Sequence, residues 1–319
     1  MSVLRFLSAG IVAAGIAVGA TAASAFPNGP IEFVIPFGAG GSADIEGRLL
    51  AAKMSEELGV PVTPVNRPGA GGAVTYTYIK NAKPDGRTIG WNSTSVLTTT
   101  NLGNTDFPYD AIDHVGRVEY QPQPFVVRGD SKWQSFEEFV ADCKANPDTL
   151  KVANTGTGSA THAGAVMLMD AAGCQVIHLP KSIKTRNKSV LNGEADAMIA
   201  PLTGTVNLEK AGKLRILLMP TDARSPLYPD VPTARERGFD ASMDLFRGLS
   251  VPPGTPDDIK AKLADAMIKA ANSPEFKKLA ADKGFTVSPM DHKQFEVYLR
   301  EENKKVRKVL ETAGLLNTQ

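Results

Sequence analysis

The chain is sparing with the residues that do redox and metal chemistry. Its 319 residues include only two cysteines, Cys143 and Cys174, and four histidines, His114, His162, His178 and His292. None of them has the C-x-x-C or H-x-x-x-H spacing of a metal-ligand cluster, so neither a metal nor a cofactor is expected. A charge excess is missing too: 35 basic against 34 acidic side chains leave a formal net charge of +1. Nucleic-acid binding needs a basic field to offset phosphate charge, and this composition lacks one. Beyond residue 25 no apolar run approaches the roughly 20 residues that span a bilayer.

The N-terminal segment is different in kind. Arg5 precedes Phe6 and Leu7, then an almost uncharged run of Ala, Gly, Ile and Val, then Ala23 and Ala25 before Phe26. A charged start, an apolar core and small residues two apart form a signal-peptide pattern, with cleavage expected after Ala25. A membrane anchor is the rival, but the run is short, rich in glycine and ends at a cleavable site. No cysteine stands at that site, so a lipid anchor is not expected. The predicted compartment is the periplasm, where an isolated cysteine pair is either a Cys143–Cys174 disulfide or two buried thiols, rather than a catalytic thiol. Loss of Arg5 leaves 34 charges of each sign, and the remaining length suits two domains.

Strand and helix patterns alternate along the mature chain. Ile31 to Pro36 reads as a strand, Phe37-Gly-Ala-Gly-Gly-Ser-Ala-Asp44 as a loop, and Ile45 to Leu58 as a helix. Further strands are predicted at Val60 to Val65 and Thr88 to Trp91, with the Asn66-Arg-Pro-Gly-Ala-Gly-Gly72 loop and a helix from Ala73 between them. The pattern restarts at Phe125, where Ser135 caps a helix and the strand Lys151 to Asn154 leads into a second glycine loop, Thr155-Gly-Thr-Gly-Ser-Ala-Thr-His162. After the strand Phe246 to Val251 the chain reads as helices. The expected fold class is α/β: two domains, each a mostly parallel sheet flanked by helices. The expected boundaries are 26–124 with 245–319 for domain 1 and 125–244 for an inserted domain 2, with two crossings forming a hinge.

Each glycine loop lies between the carboxyl end of a strand and the start of a helix. Free backbone N–H groups and the positive helix end make that position an anion site, and open α/β sheets bind ligands there. Either loop alone also suits a plain tight turn. Neither matches a P-loop or a G-x-G-x-x-G fingerprint, so a nucleotide is not expected.

Several spaced segments carry a family resemblance. They are Ile35-Pro-Phe-Gly-Ala-Gly-Gly-Ser-Ala-Asp44 with Arg48, the Val65 to Gly72 stretch, Pro84-Asp-Gly86, the Thr155 to His162 loop, Pro229-Asp-Val-Pro-Thr233 and Pro252-Pro-Gly-Thr-Pro256. The chain resembles the solute receptors of tripartite tricarboxylate transporters, the Bug family. That resemblance implies a two-domain clamp of the type II periplasmic binding protein kind that holds carboxylates by backbone and hydroxyl groups, partly through water, and delivers them to the membrane subunits of such a transporter. Carried onto this sequence, Phe37, Gly40, Gly41, Ser42 and Ala43 would line one half of the pocket. Thr155, Gly158, Ser159, Thr161 and His162 would line the other. Asp44 stands either near the ligand or at its own helix start, and Asn92, Ser93 and Ser95 either supply donors or sit in a solvated loop.

One segment departs from the family, which commonly has an aromatic residue and a glycine where this chain reads Pro180-Lys-Ser-Ile-Lys-Thr-Arg-Asn-Lys188. Lys181, Lys184, Arg186 and Lys188 either bring positive charge to the cleft, favouring a ligand with two or more carboxylates, or form a solvated face. The expected function is a monomeric, non-enzymatic receptor for a di- or tricarboxylate, an aromatic acid or an acidic amino acid. Its rivals are a ligand sensor for a two-component system and a hydrolase using Ser159 and His162, although no G-x-S-x-G elbow is present.

Overall fold

The computed structural model describes residues 26–317; the segment read as a signal peptide, with its cleavage site, lies outside them. The first lobe is built on β1 (Ile31–Ile35), β2 (Val62–Asn66), β3 (Thr88–Ser93) and β4 (Asp113–Gln121), with α1 (Ser42–Leu58), α2 (Ala73–Lys80) and α3 (Ser95–Asn101). The chain crosses at residues 122–124 into β5 (Phe125–Arg128), α4 (Phe136–Ala145), β6 (Lys151–Asn154), α5 (Ala160–Ala172) and β7 (Ile177–Pro180). It continues through α6 (Ile183–Leu191), β8 (Ala197–Ile199), α7 (Val206–Lys210) and β9 (Leu214–Leu218). It then returns through residues 219–244 to β10 (Leu245–Val251), α8 (Asp257–Ala271), α9 (Pro274–Lys283), β11 (Thr286–Met290) and α10 (His292–Thr312).

Two sheets result, a six-stranded one in the order β11-β4-β10-β3-β1-β2 and a five-stranded one in the order β7-β6-β8-β5-β9. β1 is buried along nearly its whole length because helices cover both faces of its sheet, which is why it reads as an unbroken apolar run. The pairing is more mixed than the alternating pattern predicts. In the first sheet β1 pairs in parallel with β2 and β3, whereas β10 runs antiparallel to both β3 and β4, and β11 antiparallel to β4. In the second, β6 is parallel to β7 and β8, while β5 is antiparallel to β8 and β9. The antiparallel strands sit on either side of the crossings, where a chain that leaves a sheet and comes back must reverse direction.

Local signals end the helices as the sequence implies. Gly59 closes α1 at φ 68°, a left-handed position that suits glycine. Ser135 accepts a hydrogen bond from the Glu138 N–H at the start of α4, and Ser273 from the Phe276 N–H ahead of Pro274 in α9. Three elements were not visible in the pattern: α3, β4 and β11. In β4 the buried polar residues Arg117, Glu119 and Gln121 break the alternation a half-buried strand should show.

Candidate functional site

The two glycine loops meet across the lobes. Phe37, Ser42 and Ala43 from the first loop and the start of α1 share a small cavity with Thr155, Ser159, Ala160 and Thr161 from the second loop and the start of α5. An α-helix leaves its first N–H groups without intrahelical acceptors, and at α1 those include the cavity-lining Ser42 and Ala43. At α5 the Ala160 N–H is already taken by Ser95 Oγ from the first lobe, at 3.0 Å. The cavity measures ≈ 20 Å³ and adjoins an outer groove of ≈ 570 Å³; Phe37, Thr155 and Ile183 line both.

Hydroxyl groups organise the second-lobe side. Thr155 N–H donates to Thr161 Oγ1 at 2.8 Å, and Thr161 Oγ1 lies 3.0 Å from both Thr155 Oγ1 and Ser159 Oγ. The chain of contacts ends on Arg186, whose Nη1 donates to Thr155 Oγ1 at 2.8 Å. Arg186 and Arg247 both line the cavity, one from each lobe, and both are buried. Burial pushes the Arg186 guanidinium down to about 10.

Other expected residues lie elsewhere. Asp44 faces its own loop: its carboxylate accepts from Gly40 N–H at 2.9 Å, Arg48 Nε at 2.8 Å and Asn66 Nδ2 at 2.9 Å. Burial opposes its ionisation, but those donors, Arg48 first, outweigh it and leave the carboxyl below its ordinary range. Asp44 is therefore a buttress that sets the loop's shape, and the Gly40 N–H is spent on it. Gly41 caps α1 beside Ile183. Asn92 is buried against His114, at 2.9 Å, and Ser93 Oγ accepts from the Ser95 N–H, so neither lines the cavity, whereas Ser95 does. The Gly158 carbonyl is bound by Thr98 Oγ1 at 2.6 Å, which ties the second loop to α3. Lys181 lines the outer groove and pairs with Glu194.

Ser159 and His162 do not form a nucleophile and base. Ser159 is the N-cap of α5 and accepts from the His162 backbone N–H at 3.2 Å, while the His162 ring accepts from Gly158 N–H at 3.4 Å and meets the ring of His178 edge-on. Burial, with His178 adding a smaller effect, lowers His162 to about 4. No carboxylate orients it among the described residues, which also hold no cluster of three or more metal-ligating side chains. Cys143 and Cys174 form a disulfide between α4 and the end of α5, with Cα atoms 5.8 Å apart.

Sequence reasoning missed Arg247 entirely. Its only trace is one cation inside an otherwise apolar and neutral strand, β10, every residue of which is buried. Arg186 was one of four basic candidates in its segment, and nothing in the sequence separates it from Lys181.

Two α/β lobes joined by two crossings, with a cavity between them lined by hydroxyl, guanidinium and apolar side chains, define a two-lobed solute-binding protein. The chain belongs to the tripartite tricarboxylate transporter receptor family, whose model matches residues 47–315. It is 32% identical to a UPF0065 protein of Cupriavidus necator found in the gbd 5' region, over 98% of this chain and 97% of that one. Among solved structures it is similar to the periplasmic binding protein BugD, at 27% identity and TM-score 0.87, over 91% of this chain and 99% of that one. It is also similar to MatC of Rhodopseudomonas palustris with bound malate, at 27% identity and TM-score 0.83, over 89% and 100% of the two chains.

Proposed function

We propose that this protein is a periplasmic, monomeric solute receptor that loses residues 1–25 on export and closes its lobes, 26–124 with 245–319 and 125–244, on a small carboxylate. The candidate ligands are a di- or tricarboxylate, an aromatic acid or an acidic amino acid, and the loaded receptor would hand it to the membrane subunits of a tripartite tricarboxylate transporter. The observation that carries this reading is the cavity itself. Two helix starts, a set of hydroxyls and two buried guanidinium groups converge on one space between the lobes. That donor set suits an anion, and the malate bound by MatC supports a carboxylate. No bond is made or broken. Lobe closure about the crossings takes the carboxylate out of water, where each charge-assisted hydrogen bond contributes roughly 1.5 to 3 kcal/mol.

The test is thermal unfolding of the chain lacking residues 1–25 against carboxylates, sugars, neutral amino acids and nucleotides. A ligand at about a thousand times its Kd adds about 4 kcal/mol, a rise of several degrees in a protein of this size. A rise with carboxylates alone is the expected result. A rise only with sugars or nucleotides removes the proposal.

A further inference from the structure

Arg247 enters the cavity already paired. Its Nε donates to Glu46 Oε2 at 2.6 Å and its Nη2 to Ser42 Oγ at 2.9 Å, while the buried Nη1 has no partner. The second carboxyl nearby, Glu119, lies 3.7 Å from the Arg247 Nε. Burial, reinforced by Glu46, raises Glu119 well above the usual carboxylate range against the opposing pull of Arg247. Arg247 thus meets a carboxylate directly, at Glu46.

Arg186 has no such balance. It is 2% exposed and donates to Thr155 Oγ1 and to the Asn187 amide oxygen, with no carboxylate paired to it among the described residues. A buried cation without a counter-ion is costly, and that cost is relieved when an anion enters beside it. Arg186 is therefore the cavity-lining cation with no carboxylate beside it, and the ≈ 20 Å³ of the cavity admits one small group.

We propose that Arg186 supplies the charge that this cavity offers its ligand: one ligand carboxylate pairs directly with the Arg186 guanidinium, while the rest of the ligand extends toward the outer groove. This rests on the receptor reading above and adds to it which residue supplies the charge and how many carboxylates must be desolvated. A diacid then needs only one free acid end, because the other end lies in the more open groove lined by Asn104 and Lys181.

The experiment is calorimetric titration of the wild type, Arg186→Met and Arg186→Lys with malate, succinate, adipate and benzoate, and with their amides. In the wild type, the monoamide of a diacid should bind within about 5-fold of the acid and the diamide about 100-fold more weakly, a difference set by the charge-assisted bonds lost. Arg186→Met should weaken acid and monoamide alike by about 100-fold, with partial recovery in Arg186→Lys. The melting temperature of ligand-free Arg186→Met should hold or rise, since an unpaired buried charge is removed. The proposal is overturned by a wild-type protein that binds the monoamide as poorly as the diamide, a comparison that needs no variant. Undiminished affinity in a folded Arg186→Met overturns it equally. If the wild type binds no acid of the carboxylate panel used for thermal unfolding, the receptor reading fails and this one with it.

Discussion

Ile183, at the start of α6 in the second lobe, occupies the space a side chain on Gly41 of the first lobe would need. A Cβ built on Gly41 lies 2.3 Å from Ile183 Cδ1 and 2.8 Å from its Cγ2. Ile183 also packs against the hydrophobic core of the first lobe, so α6 reaches across the cleft as a latch.

Gly41→Ala should therefore impair closure. The backbone there, at φ −87°, accepts alanine without strain, so the effect must come from the clash across the lobes. Affinity for the bound acid should fall about 10-fold, in line with the cost of overpacking, with little change in the melting temperature of the ligand-free protein. Ile183→Ala in the same chain should restore most of the affinity. Titration of both variants checks this, and a double variant as weak as Gly41→Ala would locate the fault in the loop instead.

A pH dependence follows from Asp244, beside a groove on the lobe boundary that also holds Arg117, Tyr298, Glu302 and Lys305. Burial, then Asp222 and Glu302, raise its pKa to about 7 against the pull of Lys305 and Arg117. The folded protein keeps this proton up to that pH, whereas the unfolded chain releases it near about 3.9. The contribution of this group to stability thus falls as pH rises from about 3.9 to about 7 and stays low above that. Asp244→Asn should raise the melting temperature by a few degrees at pH 8 and leave it unchanged at pH 3.5. Equal shifts at both pH values would show that the substitution acts through packing.

The disulfide closes a loop with a sequence separation of 31 and lies in the core of the second lobe, away from the cavity. Replacing both Cys143 and Cys174 with serine should cost about 3.5 kcal/mol in denaturant unfolding. Carboxylate affinity at 25 °C should not change, because neither residue lines the cavity or the outer groove. A parallel loss of affinity would mean that the bridge also shapes the second glycine loop.

The strands and helices that the sequence made legible are those whose burial follows a simple period. β1, with helices on both faces, reads as an apolar run, and α1 ends where Gly59 supplies the left-handed turn. The glycine loops were legible for a related reason: their conformations and their place between strand and helix are local properties. β4 escaped notice because its inward side chains are polar and find their partners in other elements, Gln121 on Glu46 and Thr203, and Arg117 on Ser288.

Sequence alone determined the α/β class, the two glycine loops at strand–helix junctions, and the absence of any metal-ligand spacing, because propensity, glycine placement and periodicity act over a few residues. Only the tertiary structure decided which charges line the cavity. Lys181 and Arg186 belong to one basic segment, yet Lys181 turns outward to Glu194 while Arg186 is buried beside Thr155. Arg247 reaches Glu46 across 201 residues of chain. Whether a cation is paired, buried or free depends on which distant groups the packing brings within about 4 Å of it, and no local pattern encodes that distance.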